Sequence, residues 1–212
     1  MSDLMASARD DVAFVKALVS DSGRVRSTVG AGLLAGGLCY GAQCVIQGLL
    51  AVVPPSLPGW GLAEMIAAIL PSLVFAALVV VIARRDRRLK AAGGVGVASR
   101  ALGATFGSMG LSALATAAVF GYAALREHSL TIWLFHPIMV CVAQGVGWYM
   151  AFMIRRRGWY AAVSAGWFAT ALALTVLLPA LVAFVFVLGA ALFALMALPG
   201  WALWRSARAE AG

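Results

Sequence analysis

The chain has 212 residues, of which 63% are apolar and 11% are charged, and its formal net charge is +8. A soluble domain carries about a quarter charged residues, so this composition excludes a water-soluble globular protein and indicates that lipid is the solvent. A basic protein often binds nucleic acid, but here the cations form short clusters between long apolar runs, which is typical of orientation signals in membrane proteins. We therefore expect an all-α, polytopic membrane protein with no nucleic-acid partner.

The N-terminal segment, residues 1–28, is predicted to be cytoplasmic. Residues 10–20 have the pattern of a short amphipathic helix, and Ser20–Gly23 is expected to end it before the first span. Four apolar side chains of this helix recur at helical spacing on one face. They are Val12, Val15, Leu18 and Val19. We expect this face to dock a partner protein or to lie on a lipid surface.

Six apolar runs follow, each long enough to cross a hydrocarbon core of ~30 Å as a helix of about 20 residues. They form a predicted transmembrane domain of residues 29–204, arranged as three successive hairpins and followed by a cytoplasmic tail of residues 205–212. The spans are residues 29–53, 61–83, 101–124, 130–154, 159–178 and 180–203. Pro179 separates the last two, because residues 159–204 carry no charge and a proline disfavours a continuous helix.

The distribution of Lys and Arg predicts the orientation. If both ends of the chain are cytoplasmic, fifteen of the sixteen cations lie inside and Arg126 alone lies outside. Five spans would place Arg205 and Arg208 on the wrong side, so the charges also favour six. Short loops, arginine-rich clusters and the absence of Asn are typical of a bacterial inner membrane.

One basic cluster follows the second span immediately. It consists of Arg84, Arg85, Arg87, Arg88 and Lys90. Such a cluster can contact anionic lipid headgroups, although a plain stop-transfer signal explains the same pattern. Membrane lipids are therefore expected partners, together with a protein partner or a second copy of the chain.

Ionisable groups inside a bilayer are functional candidates because their burial is costly. Glu64 lies about one turn into the second span and His136 about two turns into the fourth, both from the outer side. Their similar depth would let them meet if the two helices were neighbours, and such a pair could form a proton relay or a cation site. An interfacial glutamate and a histidine bonded to a backbone carbonyl explain the same residues without a function.

The first span carries a polar stripe of Tyr40, Gln43 and Gln47, which share one helix face. In lipid such groups need partners across a helix interface, and Gln144 in the fourth span could supply one. The stripe either lines a substrate path or holds helices together. Small-residue pairs at helix-packing spacing occur at Gly32/Gly36, Gly37/Gly41 and Gly103/Gly107.

No cofactor or metal is expected. The three cysteines lie in apolar runs and make no zinc-binding pattern. His128 and His136 lie about 80° apart around one helix, so they cannot sandwich a single haem iron. Hydrolase, metalloprotease and P-loop motifs do not occur, and an enzymatic function, which would need a cofactor or substrate to supply the chemistry, is the least supported.

Two other functions are better supported. The first is a non-enzymatic accessory or regulatory subunit that docks a partner through residues 10–20. A short cytoplasmic helix before six spans is similar in plan to the membrane-embedded anti-sigma factors of proteobacteria, a likeness of architecture alone. The second is a small transporter or channel whose polar path uses Glu64, His136 and the stripe.

Overall fold

The computed structural model describes the backbone of residues 2–52, 60–90 and 97–209, and the side chains of residues 26–52, 61–86 and 100–209. The described part is helical throughout apart from short turns. The helices are α1 (Ser2–Val52), α2 (Trp60–Lys90), α3 (Val97–Glu127), α4 (Leu130–Arg155), α5 (Gly158–Val176), α6 (Leu181–Leu192) and α7 (Leu198–Ala209), with one π-helical turn (Phe193–Ala197) joining α6 to α7.

Six helical segments are long and apolar enough to cross a membrane. The last of them, here called the last helical segment, runs from α6 through the π-helical turn to α7 (Leu181–Ala209). This confirms the predicted all-α class and the predicted number of apolar helices. Large apolar side chains on α2 and α3 face outward, and Leu111 and Leu114 are 70% and 71% exposed. Water would oppose so much exposed apolar surface. These six helices therefore suggest a multi-pass membrane protein.

The first helix differs from the prediction at its N-terminal part. The expected break at Ser20–Gly23 is wrong, because α1 continues without interruption from Ser2 to Val52. Serine and glycine each cost at most about 1 kcal/mol relative to alanine inside a helix, and no proline is present to block the backbone. The apolar face of residues 10–20 thus belongs to the same helix as the first span.

Helix α1 is the central packing element. It contacts α2, α3, α6, the π-helical turn and α7, whereas α4 packs against α3 and α5. The largest fully buried side chains are Trp148 on α4, Trp167 on α5 and Phe184 on α6. The largest side chains of the interior are thus aromatic groups on α4, α5 and α6.

The chain turns between α5 and α6 at residues 177–180, which include Pro179. A second proline shapes the last helical segment. Pro199 has no N–H to donate to the carbonyl of Leu195, four residues earlier. The indole Nε1 of Trp167 donates a hydrogen bond to that carbonyl at 3.2 Å. The π-helical turn therefore sits where a proline frees a backbone acceptor for a side chain of α5.

A tight link joins α4 to α5. Arg156 ends α4 with φ 53° and ψ 28°, the left-handed conformation, and its N–H bonds the carbonyl of Phe152. Two residues later α5 begins at Gly158. This turn brings the end of α4 against the start of α5.

The left-handed conformation of Arg156 leads to a stability prediction. We expect Arg156→Gly to raise the stability of the detergent-solubilised protein by about 1 kcal/mol, because glycine adopts this conformation without a Cβ clash. Thermal unfolding followed by circular dichroism measures it. The matched control is Arg157→Gly, since Arg157 has φ −96° and gains nothing from glycine. An unfolding temperature that rises equally in both variants would contradict this explanation.

Nine of the ten cations with described side chains lie at one end of the bundle, here called the basic end, and Arg126 is the tenth. Thr28 donates a hydrogen bond to Asp86 at 3.2 Å. This places the end of α2 beside the start of the first apolar window, the candidate membrane span Arg26–Val52 within α1. Gly30 packs against the backbone of Gly200 and Trp204, so α7 also lies at this end of the bundle. The cations of this end with described side chains are Arg26, Arg84, Arg85, Arg100, Arg155, Arg156, Arg157, Arg205 and Arg208.

Candidate functional site

The polar stripe of α1 faces α2. The amide Nε2 of Gln43 donates a hydrogen bond to the carbonyl of Ala68 at 3.0 Å. Tyr40 packs its ring 5.1 Å from that of Phe75 and lies within hydrogen-bonding reach of Ser72. These contacts join two helices, which is the arrangement that interhelical hydrogen bonding would produce. Gln47, the third member, is half-buried.

Gln144 is not brought to the stripe. It is buried on α4, whose backbone does not come close to that of α1 among the described residues. Its side-chain carbonyl has no hydrogen-bond partner, and the indole N–H of Trp148, one turn further along α4, has none either. Two unsatisfied polar atoms therefore lie on one buried face of α4, at a cost of about 1–3 kcal/mol each.

Glu64 and His136 lie on helices that do not pack together. In the described part of the chain α2 contacts α1, and it has no contact with α4. The ring nitrogen Nδ1 of His136 lies 3.1 Å from the hydroxyl of Thr116 on α3, and its ring lies 5.0 Å from that of Trp133. Glu64 is exposed on α2. The structure therefore does not assemble the relay that the similar depth of the two residues suggested.

The structure instead assembles a basic and aromatic cluster at the basic end. Tyr160, near the start of α5, is 3% exposed. Its hydroxyl lies close enough to three guanidinium groups to interact with them electrostatically. They belong to Arg26 of α1, Arg155 of α4 and Arg157 of the link. Arg26 of α1 and two cations at the α4–α5 link thus lie near one buried phenol.

Aromatic rings form the body of this cluster. The ring of Trp148 lies 5.6 Å from that of Tyr160, 5.7 Å from that of Trp159 and 5.3 Å from that of Phe106 on α3. Such distances are those of favourable aromatic pairs. The rings link α3, α4 and α5 beneath the three arginines.

A small recess opens beside the cluster, with a volume of about 10 Å³, which is close to the minimum for one water molecule. Its walls come from α1, α3, α4, α5 and α7. They are formed by Arg26, Val29, Leu102, Phe106, Ala151, Tyr160 and Leu203. Apart from the guanidinium and the phenol, the walls are apolar.

This cluster was not predicted as a site from the sequence. The sequence assigns Arg26, Arg155 and Arg157 to the orientation of the chain alone. The local signal is an aromatic pair, Trp159 and Tyr160, one residue after three consecutive arginines, as is typical of a membrane interface. The contribution of α1 and α3 could not be found locally, because it depends on tertiary packing.

Several predicted residues lie outside the described side chains. They are Val12, Val15, Leu18 and Val19 of the docking face and Arg87, Arg88 and Lys90 of the basic loop. Arg84 and Arg85 are described and exposed. Within the described ranges, no group of three or more His, Cys, Asp or Glu residues could hold a metal ion.

The cluster thus combines guanidinium groups, one phenol and stacked aromatic rings at the basic end. Comparison with known proteins adds no assignment: no family model, no curated protein and no solved structure matches this chain.

Proposed function

We propose that this chain is a non-enzymatic accessory or regulatory subunit of a bacterial inner membrane, with both ends cytoplasmic. In this proposal a partner protein docks on the face of α1 formed by Val12, Val15, Leu18 and Val19. The segregation of the described cations to one end of the bundle supports the orientation, since cytoplasmic ends carry an excess of Arg and Lys.

The observation that carries the proposal is the continuity of α1. At 1.5 Å per residue its 51 residues make a helix of about 77 Å, whereas a hydrocarbon core is about 30 Å thick. The first apolar window begins at Arg26. Residues 2–25 therefore extend one helix beyond the membrane, as expected of an element that presents a binding face.

The central place of α1 supports a regulatory role. The same helix that carries the proposed docking face packs against α2, α3, α6 and α7. A helix without a break transmits a rotation or tilt of its outer part to its membrane part. Partner binding could thus be coupled to the packing of the whole bundle.

Site-specific photocrosslinking in living cells tests the docking face. With a photoreactive phenylalanine derivative at position 15, we expect one discrete protein adduct, which mass spectrometry then identifies. The double variant Val12→Glu, Leu18→Glu should reduce this adduct at least tenfold, because two buried charges oppose docking of an apolar face. The matched control is Ala17→Glu, which introduces the same side chain on the opposite side of the helix.

The crosslinking outcomes separate the alternatives. Adducts to lipid alone would show that residues 10–20 lie on the membrane surface, and equal loss in Ala17→Glu and the double variant would show that the effect is not face-specific. Either result overturns the proposed docking. The transport alternative predicts the opposite pattern, in which Glu64→Gln and His136→Ala abolish function and the α1 variants are silent.

A further inference from the structure

The π-helical turn of the last helical segment is enclosed by glycines of two neighbouring helices. In four places a Cβ added to a glycine would lie only 2.5–2.9 Å from an atom of the turn. The pairs are Gly36 with Met196, Gly37 with Ala197, Gly41 with Phe193 and Gly166 with Leu195. Three of these glycines belong to α1 and the fourth to α5. The turn therefore contacts α1 along most of its length, and a shift of α1 acts on it directly.

The turn also changes which side of the helix is buried. In α6 the side packed on the bundle includes Phe184, Leu188 and Ala191. At 3.6 residues per turn, a regular helix would continue this side through residues 195, 198, 202 and 206. The side that α7 buries lies about one residue later, and it consists of Pro199, Gly200, Leu203 and Ala207. Thus Leu198 is 62% exposed, whereas Leu203 is 5% exposed. The π-helical turn therefore acts as one inserted residue.

A second side of α7 is also suited to packing. Its four members recur at helical spacing and carry no charge, and they are Leu198, Ala202, Ser206 and Ala209. This side would face the bundle if the turn became regular α-helix, because α7 would then rotate by about one residue, or roughly 100°. A rotation in the other sense would bring Trp204 and Arg208 to the bundle, and burial of an unpaired charge is costly. The sequence of α7 thus allows two packed registers and disfavours the third.

Pro199 favours the register of this structure. In a regular α-helix the ring of Pro199 would clash with the carbonyl of Leu195, four residues earlier. The π-helical turn is wider at this point, and the N–H of Leu198 bonds the carbonyl of Phe193, five residues earlier. The hydrogen bond from Trp167 to the carbonyl of Leu195 replaces the one that proline cannot supply. The proline therefore biases the turn toward its π-helical state.

We propose that the last helical segment is a conformational switch with two registers. In the π register, which this structure shows, α7 buries the side that contains Leu203 and Ala207. In the all-α register, α7 is rotated by about 100° and buries the side that contains Leu198 and Ser206. The rotation carries the two arginines of α7 around the helix axis and so changes the surface of the basic end. Control of the switch by a partner docked on α1 rests on the proposed function, whereas the existence of the two registers does not.

Two positions near the end of α7 report the register. Ala207 is 5% exposed in the π register and turns outward in the all-α register, whereas Ser206 is half-buried and turns inward. Each is replaced by cysteine in turn, in a full chain whose own cysteines, Cys39, Cys44 and Cys141, are replaced by alanine. The rate of reaction with a maleimide in detergent, followed by mass spectrometry, measures the exposure of each position. While Pro199 is present, we expect Ala207→Cys to react more slowly than Ser206→Cys.

Pro199→Ala is the first test. We expect this change to speed the reaction of Ala207→Cys at least about fivefold and to slow that of Ser206→Cys, because the clash that opposes the all-α register is removed. The opposite signs distinguish a change of register from fraying of the helix end, which would speed both reactions. A rise at both positions, or no change at either, overturns the proposal.

Deletion of Ala194 is the second test. Ala194 is exposed in the middle of the turn, and its removal leaves a regular α-helix in which the sides now buried in α6 and α7 are in phase. In the Pro199→Ala chain, this deletion should make the reaction of Ala207→Cys at least about fivefold slower, because α7 is locked with that side buried. A reaction that stays fast would show local unfolding instead of a second register.

A comparison of two deletions needs neither a cysteine nor a proline variant. Deletion of Ala169 removes the same residue type from an exposed position of α5, which has no π-helical turn to absorb the change. We expect this control to lower the unfolding temperature by about 10 °C or more, because Leu174 and its neighbours leave the buried side, whereas deletion of Ala194 should change it by less than about 3 °C. An equal loss in both would show that the turn is not an inserted residue and would overturn the proposal. Partner docking is judged separately by the crosslink at position 15, so the two proposals fail independently.

Discussion

Gly37→Leu is expected to destabilise the protein by about 3 kcal/mol or more, because it forces α1 away from the last helical segment. A Cβ at Gly37 would lie 2.5 Å from the backbone nitrogen of Ala197. The obstacle is backbone rather than the tip of a flexible side chain, so the helices must separate. Glycine allows this approach, and close packing is what drives association between helices in lipid.

The matched control lies on the same helix. A Cβ at Gly32 would have no neighbouring atom within 4 Å, so Gly32→Leu should not destabilise the protein, and the better helix propensity of leucine favours it by at most about 1 kcal/mol. Unfolding in sodium dodecyl sulfate, followed by circular dichroism, measures both variants. A comparable loss in Gly32→Leu would show that the effect comes from helix composition and not from the contact with Ala197.

Trp167→Ala is expected to destabilise the protein by about 3–5 kcal/mol. Trp167 is fully buried, and its removal leaves a large cavity between α5 and the last helical segment. Trp167→Phe keeps most of the volume and loses the hydrogen bond to Leu195, so we expect a smaller loss of about 1–2 kcal/mol. The same detergent unfolding measurement compares the two.

The control for Trp167 is Trp201→Ala, because Trp201 is 43% exposed. Its ring lies 5.2 Å from the guanidinium of Arg205, an exposed contact of about 0.5–1 kcal/mol. Pro199 leaves the carbonyl of Leu195 without its helical donor, and we expect the hydrogen bond from Trp167 to stabilise the protein for this reason. A Trp167→Phe variant as stable as the wild type would contradict this.

The small-residue pairs show where sequence reasoning reached its limit. Gly37 and Gly41 meet Ala197 and Phe193, as expected of a packing face, whereas Gly32 and Gly107 meet nothing within 4 Å. All four occur in pairs of the same spacing. Spacing states which residues share a helix face, and it does not state which face has a neighbour.

The polar residues show the same limit. The sequence indicated that Gln43 needs a partner across a helix interface, and the structure supplies the carbonyl of Ala68. Glu64 and His136 are predicted at a similar depth, but they are not neighbours. Depth follows from the position of a residue along its span, whereas contact also requires that the two helices lie side by side. The docking face and its partner remain a proposal, for which the continuity of α1 is the support.

The number of apolar helices, the turn at Pro179 and the separation of charge follow from the sequence by itself. In lipid each backbone polar group must be satisfied within its own helix, so span length and breaks are local properties. Tertiary structure alone decided that α1 packs on α7, that α2 stands apart from α4, and that Arg26 joins Arg155 and Arg157 around Tyr160. These are contacts between distant segments, and they depend on which surfaces fit together rather than on which residues are apolar.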